Sequence, residues 1–174
     1  VKRLLLLRHA KAVPAAPGVE DHDRGLLPRG RQDALKVGRY LANEDLEPEV
    51  ILASTSRRTA ETTDLLTGEL SGTRRIDYLE GLYLAEPEIM LSIVRLAPDS
   101  TKSLMVVGHN PGLEHLATSL AREPVKRKER DRFEAIGEKF PTAALAVLEF
   151  DVMRWRDVAA GEGALKDFVR PRDL

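Results

Sequence analysis

Short, largely apolar runs alternate along this chain with stretches in which apolar residues recur at helical spacing. Arg3–Leu7, Val50–Ala53 and Leu104–Val107 are runs of the first kind, and such runs suit strands buried on both faces of a sheet. A fourth strand candidate runs from Ala144 to Phe150, where Leu145, Val147 and Leu148 supply the apolar character. Met90, Ile93, Val94 and Ala97 fall at i, i+3, i+4 and i+7, and Pro87 ahead of them suits a first helical turn, so a helix from about Pro87 is predicted. Leu113, Leu116, Ala117 and Leu120 repeat that spacing. Asn110 followed by Pro111 predicts an N-cap and a first-turn proline for this helix, which leaves Gly108 and His109 in the turn before it. A third helix, from about Arg29 to Ala42, would present Ala34, Val37 and Leu41 on one face, with Gly38 a mild weakness. The alternation predicts a three-layer α/β domain, a largely parallel sheet with helices on both faces.

Two segments break the pattern. Ala12–Leu27 holds Pro14, Pro17, Gly18 and Gly25 with few large apolar residues, and reads as a long loop of the kind that carries function. Arg122–Lys139 is densely charged with both signs, especially over Lys126–Arg132, and reads as a solvated surface or exposed helix. No repeat or linker divides the chain, so a single domain over residues 1–174 is expected.

Composition narrows the function. With 43% hydrophobic and 32% charged residues the chain reads as a globular protein, and its longest early apolar run, Leu4–Leu7, is too short for a membrane span or a signal peptide core. Cysteine is absent, which excludes thiolate nucleophiles and cysteine zinc sites and is compatible with a reducing compartment; a cytoplasmic location is expected. The net charge of −1 supplies no global field for nucleic acid or anionic lipid, so neither nucleic acid nor membrane is an expected partner. Any affinity for anions must be local.

The polar residues supply that locality. Arg8 and His9 follow the first predicted strand, Ser54–Arg58 the second, and Gly108 and His109 the third. In open α/β sheets the carboxyl ends of parallel strands share one edge where ligands bind, so arginines and histidines distant in sequence would converge there. Such a cluster suits a phosphoryl group, because the planar guanidinium fork matches phosphate oxygens and the helix after Asn110 would add backbone N–H donors.

Leu7-Arg8-His9-Ala10-Lys11, Ser54-Thr55-Ser56-Arg57-Arg58-Thr59-Ala60-Glu61-Thr62 and Gly108-His109-Asn110-Pro111 together resemble the histidine phosphatase superfamily, also called phosphoglycerate mutase-like, and within it the SixA-like phosphohistidine phosphatases. Ala10 stands third in the family's Arg-His-Gly motif, a variation the SixA-like branch shares. The resemblance implies a phosphoglycerate mutase-like fold, His9 as nucleophile, Arg8 and Arg58 as phosphate-binding arginines, and His109 as the second histidine of the pocket. Arg58 is preferred to Arg57 because family arginines lie four residues after the serine and four before the threonine, as Arg58 does between Ser54 and Thr62. Many members carry a carboxylate acid between the second and third motifs, where Glu80 and Glu86 are available. Glu80 is the candidate, though not as an essential acid, since SixA-like proteins lack a clear one and a labile P–N bond needs little protonation help.

The chemistry of the residues is compatible with these roles. A neutral imidazole can attack phosphorus, and nearby cations, among them Arg8, Arg58 and a protonated His109, would keep His9 uncharged while stabilising the transferring group. Attack by His9 and hydrolysis of phospho-His9 would replace one difficult displacement with two easier ones, with no metal or cofactor. His22, in a flexible polar loop, and His115, on a helix, are read as non-catalytic; Lys11 either points to solvent or charges the pocket rim. Trp155, Phe168 and Leu174 are read as completing the core or packing the last strand rather than forming a recognition platform. The leading functional reading is a phosphatase for phosphohistidine in a protein, such as a phosphorelay domain. The alternatives are a phosphatase for a small phosphorylated metabolite and a catalytically silent phosphate-binding protein; a mutase is disfavoured by the short chain.

Overall fold

The computed structural model describes residues 1–174. Six strands form one sheet: β1 (Lys2–Arg8), β2 (Val50–Ser54), β3 (Arg75–Leu79), β4 (Ser103–Gly108), β5 (Leu145–Phe150) and β6 (Ala164–Val169), in the order β3-β2-β4-β1-β5-β6. β1, β4, β2 and β3 are parallel, and β5 and β6 add an antiparallel edge. The five α-helices are α1 (Pro28–Asn43), α2 (Arg57–Thr67), α3 (Pro87–Val94), α4 (Gly112–Leu120) and α5 (Arg127–Glu138).

The apolar run of β1 explains the layering. Leu4, Leu5, Leu6 and Leu7 are all fully buried, and successive side chains enter opposite cores. Leu4 and Leu6 pack with Met90 of α3, Leu113 and Leu116 of α4 and Ile136 of α5. Leu5 and Leu7 pack with Ala34, Val37 and Leu41 of α1 and Leu66 of α2. Each buried leucine contributes about 1.5–3 kcal/mol, so the strand that ends at Arg8 is anchored from both sides.

The structure extends or corrects the sequence reading at several points. β3 and β6 were not legible in the sequence, because Arg75 and Asp77 interrupt the first and Lys166 and Asp167 the second; both strands lie at sheet edges, where one side meets water. Gly38 is no weakness: a Cβ there would lie 2.5 Å from the Leu66 carbonyl oxygen, so its absence is what lets α1 and α2 approach. The charged segment is indeed a helix, α5, but Glu129 is buried and receives a two-pronged bond from Arg122 at 2.9 and 3.0 Å. Trp155 and Phe168 join the core, whereas Leu174 is 39% exposed and does not. The long segment before α1 is mostly irregular, as expected, yet it contains a short 3-10 turn at Asp21–Asp23 and a bridge between Ala12 and Leu26.

Candidate active site

β1 and β4 pair in register from Arg3↔Ser103 to Arg8↔Gly108, and β2 pairs with β4 up to Ala53↔Val107. Their carboxyl ends are therefore level, and the chain leaves each one carrying His9, His109 or the turn into α2. Ser56 caps α2, its hydroxyl accepting the Thr59 N–H at 3.3 Å, and Arg58 sits in the first turn. Thr62, one turn on, accepts the Ala10 N–H at 3.0 Å and donates to the Arg58 carbonyl at 2.7 Å, which ties α2 to the turn holding His9. Arg8, His9, Arg58 and His109 consequently line one cavity of about 370 Å³.

Both histidines are buried, at 7% exposure for His9 and 3% for His109, and their ring centroids are 5.3 Å apart. His9 Nδ1 lies 2.8 Å from the Ala10 carbonyl oxygen, an acceptor only, so Nδ1 carries the proton and donates it there. The Nε2 lone pair is left facing Arg58, whose Nε–H donates to it at 3.4 Å. Burial, followed by the charges of Arg58, Arg8 and Arg24, lowers the His9 pKa to about 4, against the opposing pull of the Ala10 bond. His109 Nε2 is 2.8 Å from Ser54 Oγ and its Nδ1 is 3.4 Å from Arg58 Nη2. Burial, then His9 and Arg58, lowers the His109 pKa to about 3, so this ring is neutral near pH 7 and the expected protonated His109 is overturned. The positive charge of the cavity belongs to Arg8, Arg24, Arg58 and Lys11, not to its histidines.

Arg8 donates from Nη1 to the Phe140 carbonyl at 3.1 Å, but its Nε is buried with no partner at all. Arg58 is 2% exposed and donates from Nη1 to the Asp21 carbonyl at 2.8 Å and from Nη2 to the Asp21 carboxylate at 3.0 Å. Tyr83 donates its phenolic hydrogen to the same carboxylate, and Arg24 donates to its other oxygen at 3.1 Å. The Tyr83 bond, with those of Arg58 and Arg24, holds the Asp21 carboxyl well below the usual carboxylate range.

Sequence reasoning missed Asp21, Arg24 and Tyr83, because each comes from irregular chain with no spacing signal; only the length of the loop holding Asp21 and Arg24 hinted at a role, and nothing marked Tyr83 in the turn after β3. The same loop is less free than expected. His22 bonds Thr55 Oγ1 at 2.9 Å and meets the edge of the Tyr83 ring, and Glu61 accepts the Leu26 N–H at 2.8 Å. His115 is exposed on α4 and Arg57 pairs with Glu61 at 3.5 Å, both away from the cavity. Lys11 does line the cavity, on its rim. Glu80 is exposed in a short 3-10 turn and does not line it. Helix α4 starts one residue later than predicted, at Gly112, with Pro111 in the cap position and Asn110 Oδ1 accepting the Glu114 N–H at 3.1 Å. The N–H groups of Leu113 and His115 are also taken, by His109 and Pro111 carbonyls, so the expected row of free helix donors is largely spent within the turn.

The family profile of the histidine phosphatase superfamily (branch 1) matches residues 4–83, a span that includes Arg8, His9 and Arg58. An uncharacterized protein of Mycobacterium tuberculosis is 37% identical over 167 residues, which make up 95% of this chain and the whole of that protein. Among solved structures, a protein of Agrobacterium tumefaciens assigned as phosphohistidine phosphatase SixA is 34% identical, covers 98% of each chain and superposes with a TM-score of 0.80. The protein histidine phosphatase SixA in complex with tungstate is 20% identical over 99% of each chain with a TM-score of 0.78, a likeness of fold. On sequence and fold together, this chain belongs to the histidine phosphatase superfamily and is a SixA-like phosphatase.

Proposed function

We propose that the chain is a protein phosphohistidine phosphatase in which His9 accepts the phosphoryl group. The Nε2 lone pair of His9 attacks phosphorus as the P–N bond to the substrate imidazole breaks, and that imidazole leaves with a proton from solvent. Water then attacks phospho-His9, releasing inorganic phosphate and restoring the neutral ring. Arg8 and Arg58, which both line the cavity, bind the non-bridging oxygens. His109 is held for the same event: Arg58 Nη2, a donor only, addresses its Nδ1, so the ring proton sits on Nε2 and is donated to the Ser54 hydroxyl.

The observation that carries this reading is the make-up of the cavity wall. Its one carboxylate, Asp21, is held ionised by Tyr83 and two arginines and has no proton to give to a departing alkoxide. An imidazole leaving group needs no such donor. The 34% identity to the Agrobacterium protein over nearly the full chain supports the same substrate. The test is turnover of a phosphohistidine peptide, p-nitrophenyl phosphate and a panel of phosphorylated metabolites without added metal. Highest kcat/KM on phosphohistidine is the expected result; a metabolite preferred over it would move the substrate class to small molecules, and turnover of nothing would leave a silent phosphate binder.

The low pKa of His9 gives a second check. The neutral ring is the reactive form, and a histidine in water is half protonated near pH 6.5. His9 instead keeps its lone pair as pH falls until about 4. A nitrogen-detected NMR titration should find His9 Nε2 unprotonated from pH 8 to 5.5, whereas a midpoint near 6.5 would mean that burial and the arginines do not act on this ring.

A further inference from the structure

A second, larger cavity of about 550 Å³ adjoins the first, and the two share Lys11 and Thr142 in their walls. Five cations line it, Lys11, Arg29, Lys139, Arg170 and Arg172, against two carboxylates, Asp33 and Glu138. In a chain with a net charge of −1 this is a local excess of positive charge. Arg170 is engaged by Asp173 at 3.1 Å. Lys11, Arg29, Lys139 and Arg172 are all exposed and none has an ion pair or a side-chain hydrogen bond within the protein. Single surface cations are ordinarily just solvated, but these four come from separate parts of the chain: the turn after β1, the start of α1, the end of α5 and the C-terminal 3-10 turn. Their junction is fixed by backbone. The Leu27 N–H donates to the Lys11 carbonyl at 2.9 Å, and a Cβ at Gly30 would lie 2.1 Å from that same oxygen, so only glycine lets α1 seat Arg29 against the turn that carries Lys11.

We propose that this cavity is a second anion subsite that takes acidic side chains flanking the phosphohistidine of a protein substrate. The inference rests on the phosphohistidine-protein reading above. A single small bisphosphate is short for a groove made of two such cavities, whereas a peptide seated with its phosphohistidine at His9 is long enough to continue past Lys11 and Thr142 into the second. Mixed charge in the wall also suits a polypeptide, with four free cations for carboxylates and two acids for neighbouring polar or basic groups.

The test compares kcat/KM for two phosphohistidine peptides that differ only in flanking glutamates or alanines, in the wild type and in Arg29→Ala/Arg172→Ala, with circular dichroism to establish that the variant is folded. The wild type should favour the acidic peptide about tenfold at low salt, the sum of a few exposed ion pairs. The ratio should fall toward one in the double variant and in 0.5 M salt. Arg172→Glu should shift the preference toward a lysine-flanked peptide. Equal kcat/KM for the acidic and neutral peptides in the wild type would overturn the subsite while leaving the phosphohistidine reading intact. Failure to turn over either peptide would overturn that reading and the subsite with it, and a bisphosphorylated metabolite preferred to both in an Arg172-dependent way would assign the cavity to a small molecule instead.

Discussion

Alanine at position 9 is expected to lower kcat on phosphohistidine about 10⁴-fold or more, because on the proposed mechanism the substitution removes the atom that carries the phosphoryl group between the two half-reactions. The loss should fall on kcat rather than on binding. His9 is neutral, so His9→Ala leaves the positive charge of Arg8 and Arg58 in place, and inorganic phosphate should still bind within about tenfold of the wild type. Trapping with radiolabelled substrate should show acid-labile, base-stable label on the wild type and none on the variant. A loss in kcat of less than tenfold, with label still transferred to protein, would place the acceptor on another residue.

Arg58→Ala should lower kcat/KM about 10³-fold, the largest effect expected of any residue that is not the acceptor. Its guanidinium reaches His9 Nε2, His109 Nδ1 and both the carbonyl and the carboxylate of Asp21, so one side chain connects the helix, the loop and both rings. Its loss removes a ligand for the phosphoryl oxygens and leaves the Asp21 carboxylate facing the incoming anion with only Arg24 and Tyr83 to hold it. Arg58→Lys should recover little, because a single ammonium cannot occupy the four positions that the planar fork and Nε fill together. Steady-state kinetics of the two variants measure this; a lysine variant within tenfold of the wild type would show that charge alone is required there.

How much of this could be read beforehand follows from where each signal resides. Leu4–Leu7, Val50–Ala53 and Leu104–Val107 are central strands, covered on both faces, and a strand of that kind writes itself into the sequence as an apolar run. Because those strands end level, the residues that follow them could be grouped before any coordinates, and Arg8, His9, Arg58 and His109 are in fact brought to one cavity. The edge strands β3 and β6 carry charges on the side that meets water, which erases the run. Asp21 and Arg24 depend on how an irregular loop folds back over α2, and Tyr83 on the turn after β3 that meets that loop, tertiary events with no period to detect. The protonation of His109 was misjudged for a related reason: the neighbouring cations were visible in the sequence as one influence among several, but the depth of burial, which leads the downward shift, is a property of the packed structure.

The four unpaired cations around the second cavity have one more implication. Lys11, Arg29, Lys139 and Arg172 hold nothing else in place, so exchanging any of them costs little in stability, typically within about 0.5 kcal/mol. His9, Arg58, His109 and Ser54, by contrast, are buried and bonded to one another, so a change at any one of them disturbs the rest. On the proposed reading, reaction and recognition are thus mechanically decoupled: a lineage, or an engineer, could walk the rim through new charge patterns one residue at a time and redirect the enzyme to different substrates while the chemistry beneath stays as it is.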